Sequence, residues 1–122
     1  MRNLRPIRAL TLGLTMSAAL VTTAVAPASA ASSSCAITYL SCQTGTIPAN
    51  ASGHFIVLSV APPDAGTVSC TVHDAYSGIA EGSLSRGYRD QPRSIKIPNL
   101  YGRYFAVCVN TRNSGAGAIQ NS

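Results

Sequence analysis

Four cysteines, Cys35, Cys42, Cys70 and Cys108, stand in a chain of 122 residues that contains no tryptophan. They constrain the fold more than any other feature. All four follow an N-terminal export pattern. Arg2, Arg5 and Arg8 form a basic start, residues 9–25 are apolar and small, and Ala28-Ser29-Ala30 offers a small-residue cleavage site. A charged start stays on the cytoplasmic side while a short apolar helix enters the translocon. The apolar part falls short of the roughly 20 strongly apolar residues that a membrane span needs. Residues 1–30 are therefore expected to be a cleaved secretory signal peptide, alanine-rich in the bacterial manner. Residues 31–122 are expected to form one disulfide-stabilised β domain. A chain this short buries only about 60–65 % of its unfolded surface, so its core alone is marginal.

An even number of cysteines in a small exported chain reads as two disulfides. Four cysteines allow three connectivities. The preferred pairing is Cys35–Cys42, which closes a hairpin-like loop, with Cys70–Cys108, which joins two strand-like segments. On the loop-entropy model the long link contributes roughly 4 kcal/mol and the short one roughly 2 kcal/mol. No CxxC or histidine-rich spacing accompanies the cysteines, so no metal and no other cofactor is expected.

Periodicity points to strands. Residues 67–76 alternate most cleanly: Val68, Cys70 and Val72 share one face, and Thr67, Ser69, Thr71 and His73 the other. Residues 54–60 are a continuous apolar run bounded by Gly53 and Pro62-Pro63, which suits a strand covered on both faces. Ser77-Gly78 is a two-residue hairpin signal, followed by a weak returning strand over residues 79–84. Residues 31–34 read as a small polar leader, and residues 85–92 as the most polar loop. Residues 93–97 place Ile95 and Ile97 inward and Lys96 outward. Over residues 104–110, Tyr104, Ala106 and Cys108 alternate with Phe105, Val107 and Val109. Both faces are apolar, so this strand is expected to be central and covered twice. Residues 115–119 could add a last edge strand.

No helix is evident after Ala30. The expected architecture is all-β, a small antiparallel β-sandwich of immunoglobulin-like or Greek-key type with two disulfides. In it, Cys70–Cys108 would link inward-facing strands of the two sheets. Residues 95–110, I-K-I-P-N-L-Y-G-R-Y-F-A-V-C-V-N, resemble the corner between two strands of immunoglobulin-like domains. There an I-x-I strand is followed by a Gly-x-Tyr corner, a Cys strand and an Asn turn. The pattern departs in placing Tyr104 four residues before Cys108 where the antibody type has two. The resemblance implies sandwich architecture. A fainter similarity is to the small, secreted, two-disulfide β-sandwich inhibitors of α-amylase from actinomycetes. Those present a Trp-Arg-Tyr triplet on a turn, where this chain has Gly87-Tyr88-Arg89.

Function is less legible. Without the three leader arginines, Arg86, Arg89, Arg93, Lys96, Arg103 and Arg112 stand against Asp64, Asp74, Glu81 and Asp90. That balance is too weak for nucleic-acid binding or for a membrane surface. His73 and Asp74 are neighbours and point to opposite faces of a strand, so they cannot form a dyad. No G-x-S-x-G elbow and no phosphate cradle is present. No catalytic residue is expected. The one concentration of contact-type residues is the loop around Arg86, Tyr88 and Arg89, with Arg103 as an extension of it beside Tyr101 and Tyr104. The chain is expected to be a monomeric, secreted, non-enzymatic binding protein, its partner an extracellular protein or a surface polymer. It could inhibit or antagonise an extracellular enzyme. A structural cell-surface or spore-coat protein and a small secreted hydrolase are the alternatives.

Overall fold

The alternation over residues 67–74 is realised as the central organising strand of a two-sheet fold. The computed structural model describes residues 30–122; the leader lies almost wholly outside the described residues. The strands are β1 (Ser32–Ala36), β2 (Ser41–Gln43), β3 (Ile47–Pro48), β4 (Ile56–Ala61), β5 (Thr67–Asp74), β6 (Ala80–Gly87), β7 (Arg93–Ile97), β8 (Arg103–Val109) and β9 (Ala116–Gln120). No helix occurs among the described residues.

Two antiparallel sheets face each other. The first has the order β1-β9-β4-β7. The second has the order β2-β8-β5-β6, with β3 continuing the edge beside β8. Ile56, Leu58, Val60 and Ile119 of the first sheet meet Val68, Val72, Tyr104 and Ala106 of the second, and all are buried. Burying each large aliphatic side chain contributes about 1.5–3 kcal/mol. Each strand hides alternate residues because its neighbours cover one face of the pleat only.

The disulfides pair as preferred, Cys35 with Cys42 and Cys70 with Cys108, but their architectural roles are exchanged. Cys70 and Cys108 lie directly opposite each other in β5 and β8, within one sheet, with Cα atoms 4.0 Å apart. Cys35 belongs to β1 of the first sheet and Cys42 to β2 of the second. The short bond therefore staples the two sheets together, and it does not close a hairpin. Gly117 of β9 sits directly over the buried pair, where a Cβ atom would fall on both Cys108 Sγ and Cys70 Sγ.

Five further expectations need correction. Residues 32–34, expected within a polar leader, join Cys35 and Ala36 in β1, because the free edge of β9 offers backbone partners that side-chain pattern does not reveal. β9 lies between β1 and β4 and is not an edge strand. β6 runs through Gly87, beyond the expected end at residue 84, since residues 82–87 complete the ladder with β5. β4 is buried only at alternate positions, not on both faces. β8 is central, yet it is covered on one face only: Phe105 and Val107 are half-buried and Val109 is exposed on the outer side.

Buried polar groups fix the ends. At the corner between β7 and β8, the Tyr104 hydroxyl accepts the N–H groups of Tyr101 and Gly102, each at 3.0 Å. Buried Asn121 accepts Ala31 N–H at 2.7 Å and donates to the Pro48 carbonyl at 3.1 Å, tying the start and end of the described residues to β3.

Candidate functional site

The strand registers sort the connections into two groups. Connections 37–40, 62–66, 88–92 and 110–115 gather at one end of the sandwich, and 49–55, 75–79 and 98–102 at the other. Charge follows this division. The first end carries Arg86, Arg89, Arg93 and Arg112 against Asp64 and Asp90. The other has Lys96 and Arg103 against Asp74 and Glu81. The net positive charge of the described residues therefore sits at one end, here called the arginine end.

Asn110 is its hub. Its buried side-chain amide donates to the carbonyls of Ala65 (2.9 Å) and Ser114 (2.8 Å), and its Oδ1 accepts Arg112 N–H. Its own N–H donates to Leu40 O, while Leu40 N–H donates to Asn113 Oδ1. Asp64 N–H reaches Ser114 Oγ and Tyr88 N–H reaches Gly66 O. All four connections are thus joined by hydrogen bonds, which restricts the loops before any partner arrives.

Tyr88 and Arg89 protrude from this end. Tyr88 is 54 % exposed, and the Arg89 guanidinium lies 5.1 Å from its ring centroid. Arg89 takes a left-handed φ of 76°. The turn is closed by Asp90, whose Oδ2 accepts Gly87 N–H. Across sheet two, Tyr39 and Leu40 protrude from the connection before β2, and Leu40 has φ 62°. The strand order β2-β8-β5-β6 separates these two loops by three strand spacings, about 14 Å. Between them lies a depression of about 480 Å³ lined by Leu40, Ser41, Thr67, Ser69, Val109, Asn110 and Thr111. It continues onto the outer face where Val107 and Phe105 follow Val109.

The other expected contact residues lie elsewhere. Arg86 faces inward opposite Val68, its Nη2 3.6 Å from Asp90 Oδ2 and its Nε buried without a partner. It is placed to hold the turn beneath Tyr88. Arg103 is at the opposite end, where its Nη2 donates to Thr46 O at 3.3 Å. Tyr104 is buried in the β7–β8 corner, and Tyr101 stacks on His54 with centroids 4.3 Å apart. The expected extension of the loop through these three residues is therefore not assembled. Tyr39, Leu40 and Arg112 complete the arginine end instead. Sequence reasoning missed them because nothing local marks a tyrosine between two cysteines as exposed.

The acid–base candidates are dispersed. His73 stacks on Phe105 on the outer face with centroids 5.4 Å apart, and its Nδ1 lies 3.2 Å from Gly78 O. Asp74 caps the next turn: its Oδ1 accepts Ser77 N–H and Tyr76 N–H, and these bonds hold its carboxyl below the ordinary 3.8. A second depression, of about 330 Å³, lies on the outer face of the first sheet among Ser34, Ser59, Ala61, Ala116 and Ala118. Its floor is made of small side chains, and Ser59 and Ser94 bond to each other there. No protein-family model, curated protein or solved structure matches the chain.

Proposed function

We propose that the chain is a small, exported, non-enzymatic binding protein that engages another extracellular protein through the arginine end, as an inhibitor or antagonist of a secreted enzyme. The proposal takes residues 1–30 as removed on export and the sandwich as of immunoglobulin-like or Greek-key type. One observation carries it: Tyr39, Leu40, Tyr88 and Arg89 are presented on cross-bonded loops, two of them on left-handed backbone that bulky residues seldom adopt. Such strain persists only where surrounding structure imposes it; His54 and Asn99 show it at the opposite end, so it is the pairing with exposed tyrosine and arginine that marks these loops. Tyrosine and arginine supply large contact area with polar tips, and fixed loops lower the entropy cost of docking. The depression between the two loops supplies a place for an apolar side chain of the partner. The test is capture of a saturable partner from culture supernatant by immobilised protein. Tyr88→Ala with Arg89→Ala should weaken capture by roughly thirtyfold, the scale of a hot spot. Unchanged capture by the double variant overturns the assignment.

A second reading rests on the outer face of the first sheet. Ala36, Ala116 and Ala61 form one row across it, and Ser34, Ala118, Ser59 and Ser94 the next. Rows of small side chains permit close stacking of sheets, as a surface-coat component would require. Sedimentation of the purified chain separates the readings: concentration-dependent assembly favours the coat, and a monodisperse monomer the binding protein.

A further inference from the structure

The four sulfurs form one continuous cluster rather than two separate bonds. Cys108 in β8 stands directly opposite Cys70 on one side and directly opposite Cys42 on the other. Directly opposed residues in an antiparallel pair have Cα atoms about 4.5–5.5 Å apart, within the range a disulfide spans. Cys108 therefore has two geometrically competent partners and is bonded to one of them. The sulfurs of Cys35, Cys42 and Cys108 all lie within 4.8 Å of one another.

Access to the cluster is unequal. Cys70 and Cys108 are wholly buried on central strands beneath Gly117. Cys35 and Cys42 are half-buried and lie on the edge strands β1 and β2. A thiol in solution meets the outer pair first, and the inner pair is reached only by a sulfur already inside the fold.

We propose that Cys35–Cys42 is a thiol-exchange site whose opening is relayed to the buried bond through Cys42. An external low-molecular-weight thiolate attacks Cys35 Sγ. A mixed disulfide forms at Cys35, the Cys35–Cys42 bond breaks, and Cys42 leaves as a thiolate. Cys42 Sγ then attacks Cys108 Sγ, the Cys42–Cys108 bond forms, and Cys70 leaves as a thiolate that takes a proton from water. One thiolate enters and one is released, so no oxidant or net reductant is consumed. The outcome transfers the covalent staple. Before exchange, the cluster joins the first sheet to the second. Afterwards, β2 is tied to β8 within the second sheet, and β1 keeps no covalent link to it, only its ladder with β9 and the hydrogen bond from Gly45 N–H to Ser33 Oγ. The N-terminal strand becomes separable from the second sheet without loss of a disulfide from that sheet.

The experiment treats the folded chain with limiting reduced glutathione at neutral pH, quenches with acid, alkylates free thiols after unfolding, and maps the linkages by mass spectrometry. The expected result is glutathione on Cys35, a Cys42–Cys108 peptide pair and alkylated Cys70. The double variant Cys35→Ser with Cys42→Ser, which lacks both outer sulfurs, should abolish Cys70 alkylation. Opening of Cys35–Cys42 with Cys70–Cys108 intact in the wild-type chain overturns the relay. A Cys35–Cys108 link in place of Cys42–Cys108 overturns the assignment of Cys42. Because the wild-type chain alone yields these outcomes, the test survives a variant that fails to fold.

Discussion

Leu40 and Arg89 hold left-handed backbone on two loops at the same end of the sandwich, separated by three strand spacings of the second sheet. Neither residue type gains from that conformation, since a Cβ in the left-handed region costs about 1–2 kcal/mol. The bonds that impose it are visible: Leu40 N–H to Asn113 and Leu40 O from Asn110, with Asp90 closing the turn around Arg89.

Replacing Arg89 by glycine should therefore separate stability from binding. The relief of the backbone exceeds the glycine's entropic penalty, leaving a net gain of about 0.5–1 kcal/mol. Thermal unfolding of Arg89→Gly is expected a few degrees above the parent. Capture of the partner should fall, because the guanidinium over Tyr88 is gone. An unfolding temperature below the parent's contradicts the strain argument.

Asn110→Ala is expected to loosen the whole arginine end. Its amide is buried and donates to two carbonyls from different connections. Leaving buried acceptors without partners costs about 1–3 kcal/mol. Amide exchange should accelerate at residues 62–66 and 111–115 while residues 98–102 at the opposite end keep their protection. Uniform acceleration at both ends counts against Asn110 as a local hub.

Gly117→Ala tests the placement of the sulfur cluster. The added methyl meets Cys70 Sγ and Cys108 Sγ, both in a filled core. Overpacking of this kind costs about 1–3 kcal/mol. Gly78→Ala, with open space around the position, should cost less and only through its positive φ of 79°. Equal losses for the two variants contradict the predicted crowding.

Asp74 gives the pH dependence a sign. Its folded-state carboxyl is held below the ordinary 3.8, first by Ser77 N–H and then by Tyr76 N–H. A depressed carboxyl contributes stability above its unfolded value and loses it as the pH falls through the folded value. The parent should thus lose this contribution below about pH 4. Asp74→Ala should lack it at neutral pH, and its unfolding temperature should fall less on acidification. Parallel curves for parent and variant exclude the contribution.

The chain disclosed its strands where side chains alternate and concealed them where backbone pairing decides. Val68, Cys70 and Val72 show their burial in their spacing, as do Ile95 and Ile97. Residues 32–36 are four small or polar residues around a cysteine, and only the ladder with β9 makes them a strand. Which sheet a strand joins is set by long-range pairing. The cysteine pairs were therefore legible, while their exchanged roles as cross-sheet staple and within-sheet bond were not. At the candidate site, Tyr88 and Arg89 stood out by residue type. Tyr39 and Leu40 did not, because their place near the same end arises only when β2 pairs with β8.

Photo-crosslinking from single positions reports whether the partner docks on the arginine end. Tyr88 and Tyr39 mark that end, and exposed Tyr101 marks the other. Each is replaced in turn by p-benzoylphenylalanine, and the folded proteins are irradiated in culture supernatant. One common adduct is expected from positions 88 and 39 and none from position 101. An adduct from position 101 with none from 88 and 39 would contradict docking at the arginine end.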